Sequence, residues 1–238
     1  PTRLMRAVRY EQRLGFQISE TTLAEMKHTL AGGHADAVSG DRWRHEFQKI
    51  FEERQAAEML LRAIELSVLP AIHPALTDGQ GLTGLAGETH LPPNGYLAAL
   101  AMSLSAADGE DVRRRLNLPA DWARVVRDTI ALRESESSFD GQVSRISRFL
   151  DGLDPNAIAA FARISEDPQV AARLRRYLDE WRLVSPALTG DDLLAMGVPP
   201  GVKIGEVLRE LNVAKLDGQV SSEADERALV QQIISRGN

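Results

Sequence analysis

Four arginines open the chain. In PTRLMRAVRYEQRLGF, Arg3, Arg6, Arg9 and Arg13 recur at intervals of three and four, the spacing that stacks side chains along one side of a helix. At roughly 100° per residue they fall within about 120° of one another, with Leu4, Ala7 and Val8 opposite. Guanidinium forks match phosphate oxygens and the hydrogen-bonding edge of a base, so a nucleotide or an RNA backbone is one partner for such a row. A solvated charged face, tempered by Glu11, is the other reading that periodicity allows.

Two further stretches carry charge in a pattern. SGDRWRHEFQKIF, residues 39–51, sets Arg42 and Glu46 four apart, with Arg44, His45 and Lys49 nearby. Pairs at that spacing contribute modestly on a surface, and the Trp43 indole reads as core. LTGDDLLAMGVPPGVKIGEVLRELNVAKLDG, residues 188–218, has Thr189 or Asp191 to cap a short helix, Gly197 to end it, and a PPG reversal before a helix near Val202. The free amides at that start, with Lys203 beside them, suit a phosphate. Equally, Gly201 and Gly205 suit the close packing of a helix-turn-helix.

Other chemistries are excluded. His28, His34, His45, His73 and His90 show no metal-ligand spacing, and the chain has no cysteine. GLTGLAG at 81–87 follows no strand and lacks a lysine with serine or threonine, so it reads as a flexible loop. No serine sits in a nucleophile elbow, and Glu110-Asp111 and Asp191-Asp192 read as acids of helix first turns. No catalytic constellation and no metal site assembles.

The elements that must hold these residues are helices. Leu, Ala, Arg and Glu dominate, apolar residues recur at three and four, and period-2 alternation is nearly absent. The chain is expected to be all-α, an elongated multi-helix array. The first helix runs from about 2 to 14 and stops at Gly15. A second is capped by Ser19 and ended by Gly32-Gly33, a third begins near Asp41, and a fourth spans about 54–68, where Pro70 and Pro74 break the chain. An irregular stretch covers 77–95. Helices follow near 96–106, 109–116, 120–134, 140–151, 155–164 and 168–184, then near 190–196, 201–217 and 222–235. The domains so expected are 1–69, 70–187 and 188–238.

The 238 residues are 43% hydrophobic, ample for a core, and no run is long and apolar enough to span a bilayer. No signal-peptide pattern opens the chain, which is expected to be cytoplasmic. Formal net charge is −6, the wrong sign for a surface that neutralises phosphate everywhere. Residues 1–62 carry 10 basic against 9 acidic side chains and residues 188–238 carry 5 against 8, so any basic surface is local.

Three stretches resemble the C-terminal, non-catalytic portion of the bacterial class II tRNA nucleotidyltransferase and poly(A) polymerase family. PTRLMRAVRYEQRLGFQI is similar to the family's (ED)PxRxLRAxRFxxRxGFxI, VSGDRWRHEFQKIF to SxERxxxELxKIL, and residues 188–230 to the T-G-x-D-L…P-G-x-x-x-G pattern of the tail. The resemblance implies that 1–69 is a neck, 70–187 a helical body and 188–238 a tail that contacts RNA. It implies that Arg3 reads the base edge of an incoming nucleotide while Arg6 and Arg9 lie near its triphosphate. It also implies that Arg42 and Glu46 brace the neck, and that Arg44, Lys49, Gly201 and Lys203 meet RNA.

The family's acidic pair would precede Pro1, and its head motifs, with the metal-binding aspartates, do not occur in these residues. The expectation is therefore a fragment cut at the head–neck junction that transfers nothing alone. Its expected partners are a tRNA or other RNA 3′ end, a nucleoside triphosphate and the head, with ATP or CTP and Mg serving the intact protein. A homo-oligomer stays open. The alternatives are an all-helical interaction module without a nucleotide role and, behind it, a helix-hairpin-helix DNA binder.

Overall fold

The computed structural model describes residues 2–85, 87 and 91–236, so that Ala86 and His90 lie outside the described residues. Among these, the secondary structure is helical throughout, without a strand. No helix is long and apolar enough to cross a membrane. Two compact units divide the chain, one of residues 1–137 and 153–174 and the other of 138–152 and 175–238.

The first unit contains α1 (Thr2–Leu14), α2 (Glu20–Ala31), α3 (Gly40–Phe51), α4 (Ala56–Glu65), α5 (Val68–Ile72), α6 (Gln80–Thr83), α7 (Pro93–Ala101), α8 (Ala106–Arg115), α9 (Ala120–Glu134) and α11 (Pro155–Ile164), as well as the start of α12 (Pro168–Asp179). At its centre, α7 packs on α9 and α11. The run from Tyr96 to Ala101 is buried without interruption, as a helix apolar on every side must be. Around this centre, α1 packs on α3 and α4, and α3 on α7.

Local chemistry sets most ends. Gly15 takes the left-handed conformation, φ +65°, that stops α1. The Ser19 hydroxyl accepts the Thr22 amide at the start of α2, and Asp154 caps α11 ahead of Pro155. Two expectations need correction. The fourth helix does not run to 68: it ends at Glu65, and after Ser67 in a left-handed conformation (φ 58°) a separate α5 begins. Pro70 lies inside the first turn of α5, where no amide has an intrahelical partner, so it breaks nothing. Nor is GLTGLAG wholly a flexible loop. Leu82 and Leu85 are fully buried, α6 forms around the first of them, and a Cβ on Gly81 would stand 2.4 Å from the Ala99 carbonyl oxygen. Burial of the two leucines fixes the segment.

The second unit contains α10 (Val143–Leu150), the end of α12, α13 (Gly190–Ala195), α14 (Val202–Leu216) and α15 (Glu223–Arg236). Its core is Leu188, Leu193, Val198, Val207, Leu211 and Val230. Asp217 caps α10 by accepting the Ser144 amide at 2.9 Å and its hydroxyl at 2.7 Å.

Candidate nucleic-acid interface

Helix α1 buries Leu4, Met5, Val8 and Glu11 and turns its arginines outward. Arg3 and Arg6 are exposed. Arg9 lies deeper, its side chain 12% exposed, and pairs with Glu53 at 3.2 Å; Arg13 reaches the same carboxylate at 3.5 Å from a more open position. The Arg9 guanidinium also sits 5.0 Å from the centre of the Tyr10 ring. The row read from spacing is thus two exposed arginines and two that share one acid.

Glu11 is not the surface counter-charge that periodicity suggested. It is buried, accepts from Arg62 at 2.8 and 3.3 Å, and receives the Ile18 amide at 3.1 Å. The Arg62 hydrogen bonds hold its carboxyl below the ordinary range against the opposing effect of burial, with help from Ile18, and Arg62 is raised in return. This pair ties α1 to α4 and so fixes the direction in which the arginines point. The Tyr10 phenol is lowered, first by its hydrogen bond with Arg6 and then by the charges of Arg9, Arg6 and Arg13.

On α3, Arg44 and Lys49 are engaged within the chain. Arg44 pairs with Asp41 at 2.8 Å and donates to the Asn117 carbonyl. Lys49 pairs with Glu46 at 3.2 Å. Glu46 is buried with its Oε2 unpartnered, and Arg42 is exposed and forms no ion pair with it among the described residues. Gly40 explains why the helix can start here: a Cβ would lie 2.5 Å from the Arg115 carbonyl oxygen. Arg115 itself donates to the carbonyls of Ile72, Val38 and Ala35 at 3.1, 3.0 and 2.9 Å. Spacing gave no sign of that clamp, because its acceptors are backbone atoms 43 to 80 residues away.

In the last fifty residues Thr189 and Asp192 form a reciprocal capping box. Gly201 precedes α14 with φ 98°, a conformation open to glycine, and Val202 is 78% exposed. Lys203 is exposed and pairs with Glu206 at 3.1 Å. Close packing does not account for Gly205, which has nothing within 4 Å of a Cβ position. Glu226, 1% exposed, accepts the Ala187 and Leu188 amides and Lys215 at 2.9 to 3.1 Å. Burial opposes its ionisation, but these donors outweigh it and leave the carboxyl below its ordinary range. Among the described residues no three acidic or histidine side chains converge to hold a metal ion.

Residues 15–79 match a family described as a probable RNA- and SrmB-binding site of polymerase A. An A-adding tRNA nucleotidyltransferase of Geobacter sulfurreducens is 27% identical over 95% of this chain and 28% of its own length. A CCA-adding enzyme of Limosilactobacillus fermentum is 27% identical over 93% of this chain and 56% of its own. The chain thus spans about a quarter to a half of these relatives. In fold, it superposes on the CCA-adding enzyme of Thermotoga maritima complexed with tRNA, with a TM-score of 0.78 at 22% identity, over 98% of this chain and 61% of that one. A CCA-adding enzyme with ATP gives 0.76, also at 22% identity, over 100% and 60%. Sequence and fold agree in direction: the chain is similar, over nearly all of its length, to part of these nucleotide-adding tRNA enzymes, and residues 15–79 carry the matched RNA-binding family.

Proposed function

We propose that the chain is the RNA-binding and nucleotide-recognising region of a cytoplasmic protein that adds CCA, A or a poly(A) tail to RNA 3′ ends, with transfer performed by a head outside these residues. The observation that carries this reading is the exposed Arg3 and Arg6 pair on a helix held by the partly buried Glu11–Arg62 bridge. A helix fixed in this way sets the direction of its donors and lowers, without removing, the ordering cost of binding a phosphate or a base edge. Arg3 and Arg6 take the incoming ATP or CTP, and Arg9, fixed by Glu53, positions the face from beneath. Residues 1–69 are the neck, 70–187 the body and 188–238 a tail that meets tRNA backbone at Gly201 and Lys203, while Arg44 and Lys49 add charge from α3. Structured RNA is then recognised by shape and by its end. Magnesium would be held by the head; among the described residues no three acidic or histidine side chains converge on one point, and no step of this reading runs through the ion.

One observation favours a second reading, an all-helical interaction module: Arg9, Arg13, Arg44, Lys49 and Lys203 all have carboxylate partners within the chain. Fluorescence anisotropy with labelled tRNA separates the two. Saturable binding that weakens steeply with salt and is impaired by Lys203→Glu supports the RNA reading. Absence of binding even at low salt refutes it for this chain and leaves the module.

A further inference from the structure

The outward stripe of α1 holds one residue that the arginine row does not use. Tyr10 is 40% exposed and lies in the middle of the cations. At 100° per residue, Arg3, Arg6, Tyr10 and Arg13 fall within about 80°, with Arg6 and Arg13 roughly one turn, about 5 Å, to either side of the ring. An exposed phenol ordinarily rotates freely, whereas this one is held. The Arg9 guanidinium covers the ring at 5.0 Å and is itself tied to Glu53 at 3.2 Å. Leu14, one turn on, and Phe16, just past the helix end, are 53% and 64% exposed and extend the apolar surface beside it.

A fixed aromatic plane with a cation against one face and guanidinium groups to both sides is the combination that stacks an unpaired base while neutralising the phosphates next to it. We propose that Tyr10 is a positioning residue whose open face stacks on a nucleobase, with Arg6 and Arg13 on the adjoining phosphates. This deepens the RNA- and nucleotide-binding reading above and rests on it. The base belongs either to the unpaired 3′ end of an RNA or to a free nucleoside triphosphate, and the two sources are separable.

The test uses this 238-residue chain, an RNA hairpin with a single-stranded 3′ end whose last base is 2-aminopurine, the same hairpin with an abasic last position, and 2-aminopurine riboside triphosphate. Stacking is read from quenching of 2-aminopurine and affinity from anisotropy of a 5′ label. The wild type and Tyr10→Phe quench the probe; Tyr10→Leu, which keeps an apolar side chain without a π face, loses the quenching and about tenfold in affinity. The abasic hairpin binds the wild type as weakly as the complete hairpin binds Tyr10→Leu. Quenching of the triphosphate but not of the hairpin assigns the stacked base to the incoming nucleotide; the reverse assigns it to the RNA end. Salt-sensitive binding with no quenching of either probe, or equal affinity for complete and abasic RNA, overturns the role of Tyr10 while sparing the RNA reading. Such binding points instead to contact with the RNA backbone alone. Failure of the wild type to bind either probe overturns both readings. Should Tyr10→Leu lose its cooperative melt, the abasic comparison on wild type decides alone.

Discussion

The two anion sites proposed above, on helix α1 and at the start of α14, offer positive charge by different means. On α1 the charge comes from side chains, several guanidinium groups on a helix bolted to its neighbour by a partly buried ion pair. At α14 it comes from backbone amides behind a glycine in a positive-φ conformation, beside one lysine already paired with Glu206. A side-chain array can recognise a flat base edge and a phosphate together. An amide cluster with one committed lysine offers a weaker, backbone-directed contact. Each unit also holds a buried carboxylate: Glu11 ties α1 to α4, and Glu226 ties the segment before α13 to the far end of α14.

The comparison is broken most severely at those braces. Arg62→Met leaves Glu11 buried without its cation and is expected to cost the first unit about 3 kcal/mol, measured by chemical denaturation. Glu226→Gln keeps the shape but loses the charge that three donors face, and a loss of about 2 kcal/mol is expected in the second unit. Acid should act on both regions alike. Both carboxyls lie below their ordinary value of 4.5 when folded, so their stabilisation is complete above that value and is lost as the pH falls through the lowered folded one. A pH series of melting temperatures should show this decline below about pH 4.5, and it should be shallower in Glu226→Gln.

Glycines sharpen the contrast at a smaller scale. Gly40→Ala drives a methyl against the Arg115 carbonyl and is expected to destabilise by about 2 kcal/mol. Gly205→Ala, with open space in the interior of α14, is expected to stabilise by about 0.5 to 1 kcal/mol. Smallest of all, Lys203→Ala should leave stability within about 0.5 kcal/mol, since its pair is exposed. Against RNA, Arg6→Ala should lower the salt slope by about one and Lys203→Ala by less. Equal slopes would show that the paired lysine is as available as the open arginine.

Much of the helical layout follows from residues close together in the chain. Ser19 and Asp154 make their caps two or three residues away, and Gly15 stops α1 by its own backbone. The all-α class and the outward arginines of α1 are legible for the same reason: helix periodicity and capping are short-range, and Leu, Ala, Arg and Glu favour one state throughout. The family resemblance rests likewise on short motifs, read directly.

What tertiary structure decided is which charges remain available. Glu11 resembles a surface acid until Arg62, 51 residues on, buries it, and Arg9 resembles Arg6 until Glu53 takes it. Tyr10 passes for an ordinary position until Arg9 closes over its ring. Likewise, Pro70 reads as a breaker until α5 places it in a first turn, and GLTGLAG as a loop until Leu82 and Leu85 are buried. Charge and turn type are written locally, but burial and pairing depend on partners brought from tens of residues away. A pattern of period three and four therefore sets the side of the helix on which an arginine lies, and only the packed chain sets whether its guanidinium is free to meet a phosphate.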